Sequence, residues 1–477
     1  MKLLVANRGE IAVRVLRAAR EQGFSTVAVY SEADRGGLFV GLADEAVCIG
    51  GAPPAESYLN VAALLGAATA TGATAIHPGY GFLSESAAFS RAVGDAGLLF
   101  IGPSPEAIAT MADKTAARAA MGAAGVPVVP GVDSDDERAI EALGFPLLVK
   151  AVAGGGGRGM RLVRAVGELP NALAAARAEA LTAFGDGRLY AERLVDPARH
   201  VEVQVLGDRA GAVVSVGARE CSVQRRGQKL IEETPVPGLP PATLAAMEAA
   251  AVRAATAVHY VGAGTVEFLL APDGAFWFLE MNTRIQVEHG VTEMVTGLDL
   301  VVQQFRLAMG EPVPAVPPVR GHAIEARICA EDRDLVPCPG RLGRVTWPVG
   351  PGVRVDAGVA NGSDVPAAYD SLLAKVMAWA PDRALARSRL AAALLDVQLD
   401  GLPTTAGLLA AVLQAEALST GAVHTRWLEG FAAGRLLDRR VLATIAAAWA
   451  FQQECPGSQP TASAALGTPW RTLGSWP

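Results

Sequence analysis

A chain of 477 residues is too long for one ordinary hydrophobic core, so roughly two to four domains are expected. Its formal net charge of −7 supplies no basic field for a nucleic-acid backbone, and no apolar run approaches the length of a membrane span. Charge enters too early in Met1-Lys-Leu-Leu-Val-Ala-Asn-Arg8 for a signal-peptide core, which points to a cytoplasmic protein, and five cysteines without CxxC spacing suggest buried apolar side chains instead of zinc ligands or disulfides.

The first elements read as strand, turn, helix. Residues 3–6 are apolar, Asn7-Arg-Gly-Glu10 follows, and Ile11, Val15 and Ala19 recur at helical spacing. Ser25-Thr-Val-Ala-Val-Tyr30, the helical Val61-Ala-Ala-Leu-Leu65, and Ala75-Ile-His77 leading into Pro78-Gly-Tyr-Gly81 continue the alternation. This pattern predicts a parallel sheet with helices on both faces, with Asn7-Arg8-Gly9 and His77-Pro-Gly-Tyr80 at the carboxyl ends of strands, where such sheets bind ligands.

A second unit begins in the Gly/Val/Pro-rich stretch from Gly122 to Pro130. Phe145-Pro-Leu-Leu-Val-Lys150 reads as a strand ending in a lysine, followed by Gly154-Gly-Gly-Gly-Arg-Gly159 and a second strand, Met160-Arg-Leu-Val163. In a Walker loop the lysine follows the glycines and a helix comes next, so this order predicts a hairpin tip instead. Its backbone amides can approach phosphate oxygens and its glycines permit lid motion; a flexible linker is the competing account, and the flanking strands argue against it.

Tyr190-Ala-Glu-Arg-Leu-Val195 and His200-Val-Glu-Val-Gln-Val-Leu206 flank a Pro-containing turn. Arg219-Glu-Cys-Ser-Val-Gln-Arg-Arg-Gly-Gln-Lys229, with its four cations, reads alone as a solvated face; beside a nucleotide site, Gln224 and Lys229 become anion contacts. Thr265-Val-Glu-Phe-Leu-Leu270 places Glu267 inside an apolar strand, and Asp273-Gly274 supplies a hairpin turn into Phe276-Trp-Phe-Leu-Glu280. Two antiparallel strands thus each present a carboxylate, which suits two Mg²⁺ ions, or one shared ion, on a triphosphate.

The stretch Glu280-Met-Asn-Thr-Arg-Ile-Gln-Val-Glu288 carries the most chemistry. In an extended chain Glu280, Asn282, Arg284, Gln286 and Glu288 share one face, offering oxygen ligands for Mg²⁺, a guanidinium for a small oxyanion, and a base in Glu288. An exposed strand laced with ion pairs is the bland alternative. After the Pro-rich linker from Pro312 to Pro318, His322-Ala-Ile-Glu-Ala-Arg-Ile328 reads as a strand with Arg327 embedded. Short strands and Ala/Leu helices then alternate to about residue 436, and from Glu454 the composition predicts a poorly ordered tail.

Placed in order, these residues resemble the biotin carboxylase family of ATP-grasp ligases, from Ala6-Asn-Arg-Gly-Glu-Ile-Ala12 to about residue 430. The likeness rests on His77-Pro-Gly-Tyr-Gly-Phe-Leu-Ser-Glu85, Gln224-Arg-Arg, Glu280-Met-Asn-Thr-Arg-Ile-Gln-Val-Glu-His289 and Gly321-His-Ala-Ile-Glu-Ala-Arg327. It implies an α/β fold, α+β overall. The expected parts are an N-terminal doubly wound parallel sheet over 1–112, an ATP-grasp domain over 113–312 with a mobile glycine-rich lid at about 125–196, a C-terminal mixed α/β domain over 319–436, and a tail over 437–477.

The resemblance further implies that Lys114 and Lys150 hold ATP phosphates beneath the loop of Gly155, Gly156 and Gly157, with Met160 and Leu269 also at the nucleotide. Glu192 and the backbone around Arg193 and Leu194 bind adenine, with His200 and Gln224 near the ribose and phosphates. Glu267, Glu280 and Asn282 hold Mg²⁺ or Mn²⁺. Lys229, Arg284, Gln286 and Val287 bind bicarbonate, Glu288 deprotonates it, Arg327 stabilises carboxyphosphate and the biotin enolate, and Tyr80 lies in the biotin pocket. A biotin carboxyl carrier protein, carboxyltransferase subunits and a homodimer are the implied partners, since no Met-Lys-Met-like biotinylation site appears; no nucleic acid or membrane is expected. The segment from Thr468 to Pro477 resembles the start of the connector to later domains in fused acyl-CoA carboxylase α chains, which implies the carboxylase portion alone. Ala153, Ala218, Gly227 and Gly290 depart from the family pattern, and they keep in view a degenerate paralogue serving as a nucleotide-binding regulatory or scaffold subunit, beside an ATP-grasp ligase with another acceptor.

Overall fold

The computed structural model describes residues 1–152, 160–225 and 227–431. Five parallel strands, β1 (Lys2–Val5), β2 (Ser25–Tyr30), β3 (Glu45–Cys48), β4 (Ala75–His77) and β5 (Leu99–Phe100), form a sheet in the order β3-β2-β1-β4-β5. The order reverses between β1 and β4, so the loops leaving them diverge over a crevice. Asn7 ties those loops together by donating Nδ2 hydrogen bonds to the Pro78 and Tyr80 carbonyls, each at 2.7 Å. Gly79 is required there: its φ is +63°, and a Cβ would lie 2.8 Å from Asn7 Nδ2.

The helix Gly9–Glu21 shows the expected apolar spacing yet is buried on more than one face, including Glu10 and Arg14. Strands from the C-terminal third of the chain also lie against it. Helix starts are fixed locally by side-chain caps: Asn60 accepts from the Ala63 amide, Ser86 from Phe89, Ser104 from Ala107 before Pro105, and Asp299 from Val302. Each such cap contributes about 1 kcal/mol.

A small antiparallel sheet contains β6 (Gly131–Val132), β7 (Leu147–Ala151), β8 (Arg161–Val163) and β9 (Leu189–Arg193), ordered β6-β9-β7-β8. The pairs Leu147↔Val163, Leu148↔Leu162 and Val149↔Arg161 make β7 and β8 the two arms of the hairpin expected around the glycine run. The run itself, with Ala153, Gly155, Gly156 and Gly157, lies outside the described residues, as do Arg226 and the tail from 432.

The largest sheet has eight antiparallel strands: β10 (Arg199–Gly207), β11 (Val213–Arg225), β12 (Gln228–Thr234), β13 (Gly262–Leu270), β14 (Phe276–Asn282), β15 (His322–Cys329), β16 (Val353–Ala357) and β17 (Leu372–Ala380). Their order is β14-β13-β10-β11-β12-β15-β17-β16. The hydrogen-bond ladder therefore runs unbroken across the Pro-rich stretch 312–318, because β12 pairs with β15 through Ile231↔Ala326 and Glu232↔Glu325. One apolar cluster joins Val223, Leu230 and Ile231 to Ile324, Ile328, Val376 and Leu390. Asp273-Gly274 makes the turn between β13 and β14, with Gly274 at φ +87° and its amide on the Ala271 carbonyl.

The strand predicted to continue from Glu280 to Glu288 does not. β14 stops at Asn282, the chain bends through Thr283 and Arg284, turns at Val287-Glu288 and enters the helix His289–Thr296. Cys221 and Cys329 are buried as expected, whereas Cys48 is exposed, and Cys455 lies outside the described residues. Among the described residues, no helix is long and apolar enough to cross a membrane.

Candidate active site

The bend after β14 gathers by folding what alternation on one strand would only have aligned. Gln286 and Asn282 turn back to donate to Glu267 Oε1 at 3.0 and 2.8 Å. The same oxygen accepts from Lys229 Nζ at 2.8 Å, and His200 Nε2 stands 2.8 Å from Glu267 Oε2. Burial alone would raise the Glu267 carboxyl, but Lys229 and His200 hold it well below the ordinary range.

Lys229 is the hub. Its ammonium contacts Glu202 at 2.6 Å, Glu267 at 2.8 Å and Glu288 at 2.7 Å, and it stays charged despite burial because three carboxylates surround it. The segment from Arg219 to Lys229 is accordingly no solvated face. It forms the β11–β12 hairpin, with Arg219, Glu220, Cys221, Ser222, Gln224 and Lys229 all buried. Gln224 Nε2 lies 3.3 Å from His200 Nδ1, beside Glu267.

Glu288 is fully buried between two cations, with Oε1 on Lys229 and Oε2 on Arg327 NH2 at 2.9 Å. Burial pushes its carboxyl up, and Lys229, Arg327 and Arg219 together pull it well below the usual range, so it is an ionised acceptor. Arg327 is fixed from its other side by Glu232, at 2.6 Å from Nε. Arg284 is held by Glu85 at 3.0 Å, Asn282 Oδ1 at 2.8 Å and Gln286 Oε1 at 3.3 Å.

Glu267 and Glu280 face one another in the β13–β14 register. Burial and the Glu267 charge both raise the Glu280 carboxyl. Two register-paired carboxylates make an oxygen donor pair whose repulsion a hard divalent cation relieves, so Glu267 and Glu280 fit Mg²⁺ or Mn²⁺, while Asn282 turns its Nδ2 to Glu267 and its Oδ1 to Arg284 and would join them by turning its amide over. Two further clusters, His200–Glu202–Glu267 and Glu202–Cys221–Glu288, bring ligand atoms within 4.8 Å of one another. Lys229 already supplies the cation that Glu202, Glu267 and Glu288 share.

The nucleotide-side residues form a second group. Lys150 contacts Glu192, Arg118 approaches the other Glu192 oxygen at 3.5 Å, and the Lys150 ammonium lies 5.9 Å from the Tyr190 ring centre. Lys114 has its ammonium lowered by burial, partly offset by Glu280, and lowered further by Lys150, which places it between the metal and nucleotide groups. The amides of Arg193 and Leu194 are already engaged with the Pro130 and Pro146 carbonyls at 3.0 and 3.2 Å. Leu269 is half-buried two residues beyond Glu267 on the same strand and pairs with His200, whereas Met160 is exposed at the edge of the hairpin.

A third part is an open cavity of about 400 Å³ lined by Tyr80, Phe82, Val287, Arg327, Tyr369 and Asp370, among others. Tyr80 donates its hydroxyl to Glu10 at the cavity wall. Arg327 thus faces both this cavity and Glu288.

Sequence reasoning missed Glu202, Arg219, Glu232 and Glu85. Glu202 was within reach: His200, Glu202 and Gln204 alternate on one face of β10, and Glu202 lies opposite both Glu267 and Arg219. Arg219 is fully buried, bonding Glu202 at 2.5 Å, Gln204 at 2.8 Å and Thr292 at 3.0 Å; no local pattern announces such a cross-strand set.

Three family models match the chain: "Biotin carboxylase, N-terminal domain" over residues 1–108, "Carbamoyl-phosphate synthase L chain, ATP binding domain" over 113–316, and "Biotin carboxylase C-terminal domain" over 325–430. A biotin carboxylase of Nostoc sp. is 49% identical over 439 residues, 90% of this chain and 98% of that protein. Two solved structures are 43% identical and cover 90% of this chain. They are a biotin carboxylase–β,γ-ATP complex from Campylobacter jejuni, with a TM-score of 0.88 over 98% of that chain, and the biotin carboxylase domain dimer of Hydrogenobacter thermophilus 2-oxoglutarate carboxylase with MgADP, ADP and bicarbonate, with a TM-score of 0.87 over 97%.

Proposed function

The chain belongs to the biotin carboxylase family, and from that premise we propose that it carboxylates carrier-bound biotin with bicarbonate and ATP, as the first half-reaction of an acyl-CoA carboxylase. The observation that carries this reading is the fully buried Glu288, bonded by Lys229 on one oxygen and Arg327 on the other, with Arg327 also open to a ligand-sized cavity.

The roles follow from what each group touches. Arg284, pinned by Glu85, Asn282 and Gln286, presents a fixed guanidinium to a small oxyanion, and Lys229 adds charge beside it. Glu288 is too acidic to take a proton from a free weak acid; it takes one from bicarbonate because the same cations that lower Glu288 also acidify the bound anion. Lys114, Lys150 and the glycine loop hold the triphosphate. Glu267, Glu280 and Asn282 would hold Mg²⁺ or Mn²⁺, which supplies charge neutralisation on phosphate oxygens. Bicarbonate attack on the γ-phosphoryl group expels ADP and gives carboxyphosphate, which decomposes to CO₂ and phosphate; the phosphate, or a base, removes the biotin N1 proton, and the enolate steadied by Arg327 takes up the CO₂. The cavity at Tyr80 receives the biotin ring system.

The proposed parts are residues 1–112, 113–312 and 319–436. Partners are a biotin carrier, carboxyltransferase subunits and a second copy of the chain, and the setting is cytoplasmic fatty acid biosynthesis. The final acyl acceptor is chosen by the transferase, so this chain's site carries no record of it. The test is ATP cleavage with and without bicarbonate and free biotin. Cleavage that needs bicarbonate and rises with biotin is the expected result. Cleavage indifferent to biotin points to an ATP-grasp ligase with another acceptor, and tight ATP binding without cleavage points to a regulatory or scaffold subunit.

A further inference from the structure

Glu325 lies directly behind the site and takes no part in the chemistry above. It is fully buried on β15, and neither of its carboxyl oxygens has a hydrogen-bond partner among the described residues. Glu202, Glu267, Glu288 and Glu232 are each engaged by Lys229 or Arg327. Glu325 forms no ion pair within 4 Å among the described residues, and it stands opposite another carboxylate, Glu232, in the β12–β15 register.

The charged groups that face it come from four elements. Glu232 approaches from β12, Lys375 from β17, Arg327 from two residues along its own strand, and Glu288 from the turn before the helix His289–Thr296. At the start of that helix Gly290 leaves room for Met377, whose Sδ a Cβ there would overlap, and Glu325 Oε2 stands beside it at ordinary contact distance. Both nearby cations have other work. Arg327 is divided between Glu232 and Glu288. Lys375, also fully buried, donates to the Val287 carbonyl at 2.6 Å and has Glu10 and Asp356 at 3.6 and 3.7 Å.

An ionised carboxylate without a donor in this interior is strongly disfavoured, and one facing Glu232 more so. If it did ionise, it would compete for the two cations nearest to it. We propose that Glu325 is a positioning residue held as a neutral carboxylic acid, and that its lack of charge keeps Arg327 on Glu288 and Lys375 on the Val287 carbonyl. Burial followed by the Glu232 and Glu288 charges, against Lys375 and Arg327, raises its carboxyl well above the usual range, in keeping with that state. Glu232 is itself pushed up to about 7, first by burial, with Arg327 pulling it down. Loss of the Glu325 proton to solvent at alkaline pH then draws the cations away from Glu288 and Val287 and slows the reaction.

The inference rests on the carboxylation reading, and its test separates the two. The kcat of biotin-stimulated ATP cleavage is followed against pH in the wild-type chain and in Glu325→Gln, whose amide copies the shape of the neutral acid. The variant is expected to stay within about threefold of wild type at neutral pH and to lose the alkaline fall. A variant with an unchanged alkaline fall, or one that is folded by circular dichroism but more than about 30-fold slower at neutral pH, overturns the proposal. Independently of activity, infrared spectra of the wild-type chain with isotope-labelled glutamate should show a buried carboxylic-acid carbonyl band at neutral pH. That band should vanish in Glu325→Gln and shift in Glu325→Asp. The same band surviving unshifted in a folded variant overturns the proposal. Absence of biotin-stimulated cleavage in the wild type defeats the carboxylation reading instead, and leaves the infrared result to stand by itself.

Discussion

Lys375 Nζ donates to the Val287 carbonyl at 2.6 Å, so a strand from the C-terminal third of the chain fixes the peptide that precedes Glu288. Lysine is rarely fully buried, and here its charge is met by Glu10 from the first helix and Asp356 from β16. Replacing it by Met keeps the bulk and removes the donor. Lys375→Met should lower kcat/KM for bicarbonate about 10- to 100-fold, the size expected for one lost charge-assisted hydrogen bond, while the Kd for ATP stays within about twofold. Equal losses in both would place Lys375 in general folding and not in setting the Val287–Glu288 turn.

Glu288→Gln tests the base directly. The amide still fits between Lys229 and Arg327 but can neither take a proton nor answer two cations. Bicarbonate-dependent ATP cleavage should fall about 10²- to 10⁴-fold with ATP binding retained, as measured by isothermal titration and initial rates. Rates near wild type would remove Glu288 from the chemistry.

Arg284 is oriented by four acceptors, Glu85, Asn282, Gln286 and the Ile285 carbonyl, which makes its direction as important as its charge. Arg284→Lys keeps the charge and loses the planar fork, so the bicarbonate KM should rise by about tenfold or more with little change in the ATP KM. Glu85→Gln, which frees one side of the guanidinium, should give the same kind of change to a smaller degree. A rise confined to the ATP KM would assign Arg284 to the triphosphate.

The parallel sheet, the two hairpins and Arg327 on its strand were legible because each rests on a local signal: period-two apolarity, Asp273-Gly274, or a glycine run between two strands. Glu280, Asn282, Arg284, Gln286 and Glu288 were legible as a group for a reason that the structure replaces. Their spacing suggested one strand face, and in fact the chain leaves the sheet after Asn282 and folds Gln286 back onto Glu267. Residues such as Arg219, Glu232 and Lys375 gave no sequence signal, because their meaning comes from partners on other strands. A buried cation is intelligible only once the carboxylates around it are known.

Asp356 provides the acid-side counterpart to Glu325. Burial would raise its carboxyl, yet Lys375 and Arg354, the latter at 2.7 Å, hold it below the ordinary value of 3.8. A carboxyl depressed in the folded chain contributes stability that is present above its unfolded value and is lost as pH falls through the folded one, at about 1.4 kcal/mol for each tenfold difference in proton affinity between the two states. Asp356→Asn leaves the buried Lys375 and the half-buried Arg354 each with one carboxylate fewer, Glu10 and Glu293 remaining, so at neutral pH it should cost about 2 to 3 kcal/mol in urea unfolding. Between about pH 5 and pH 3 the wild-type chain begins to lose what the variant no longer has, and the two unfolding free energies should converge. Curves that stay parallel over that range would show that Asp356 titrates alike in the folded and unfolded chains, and would remove the Arg354–Asp356–Lys375 cluster as a source of acid lability.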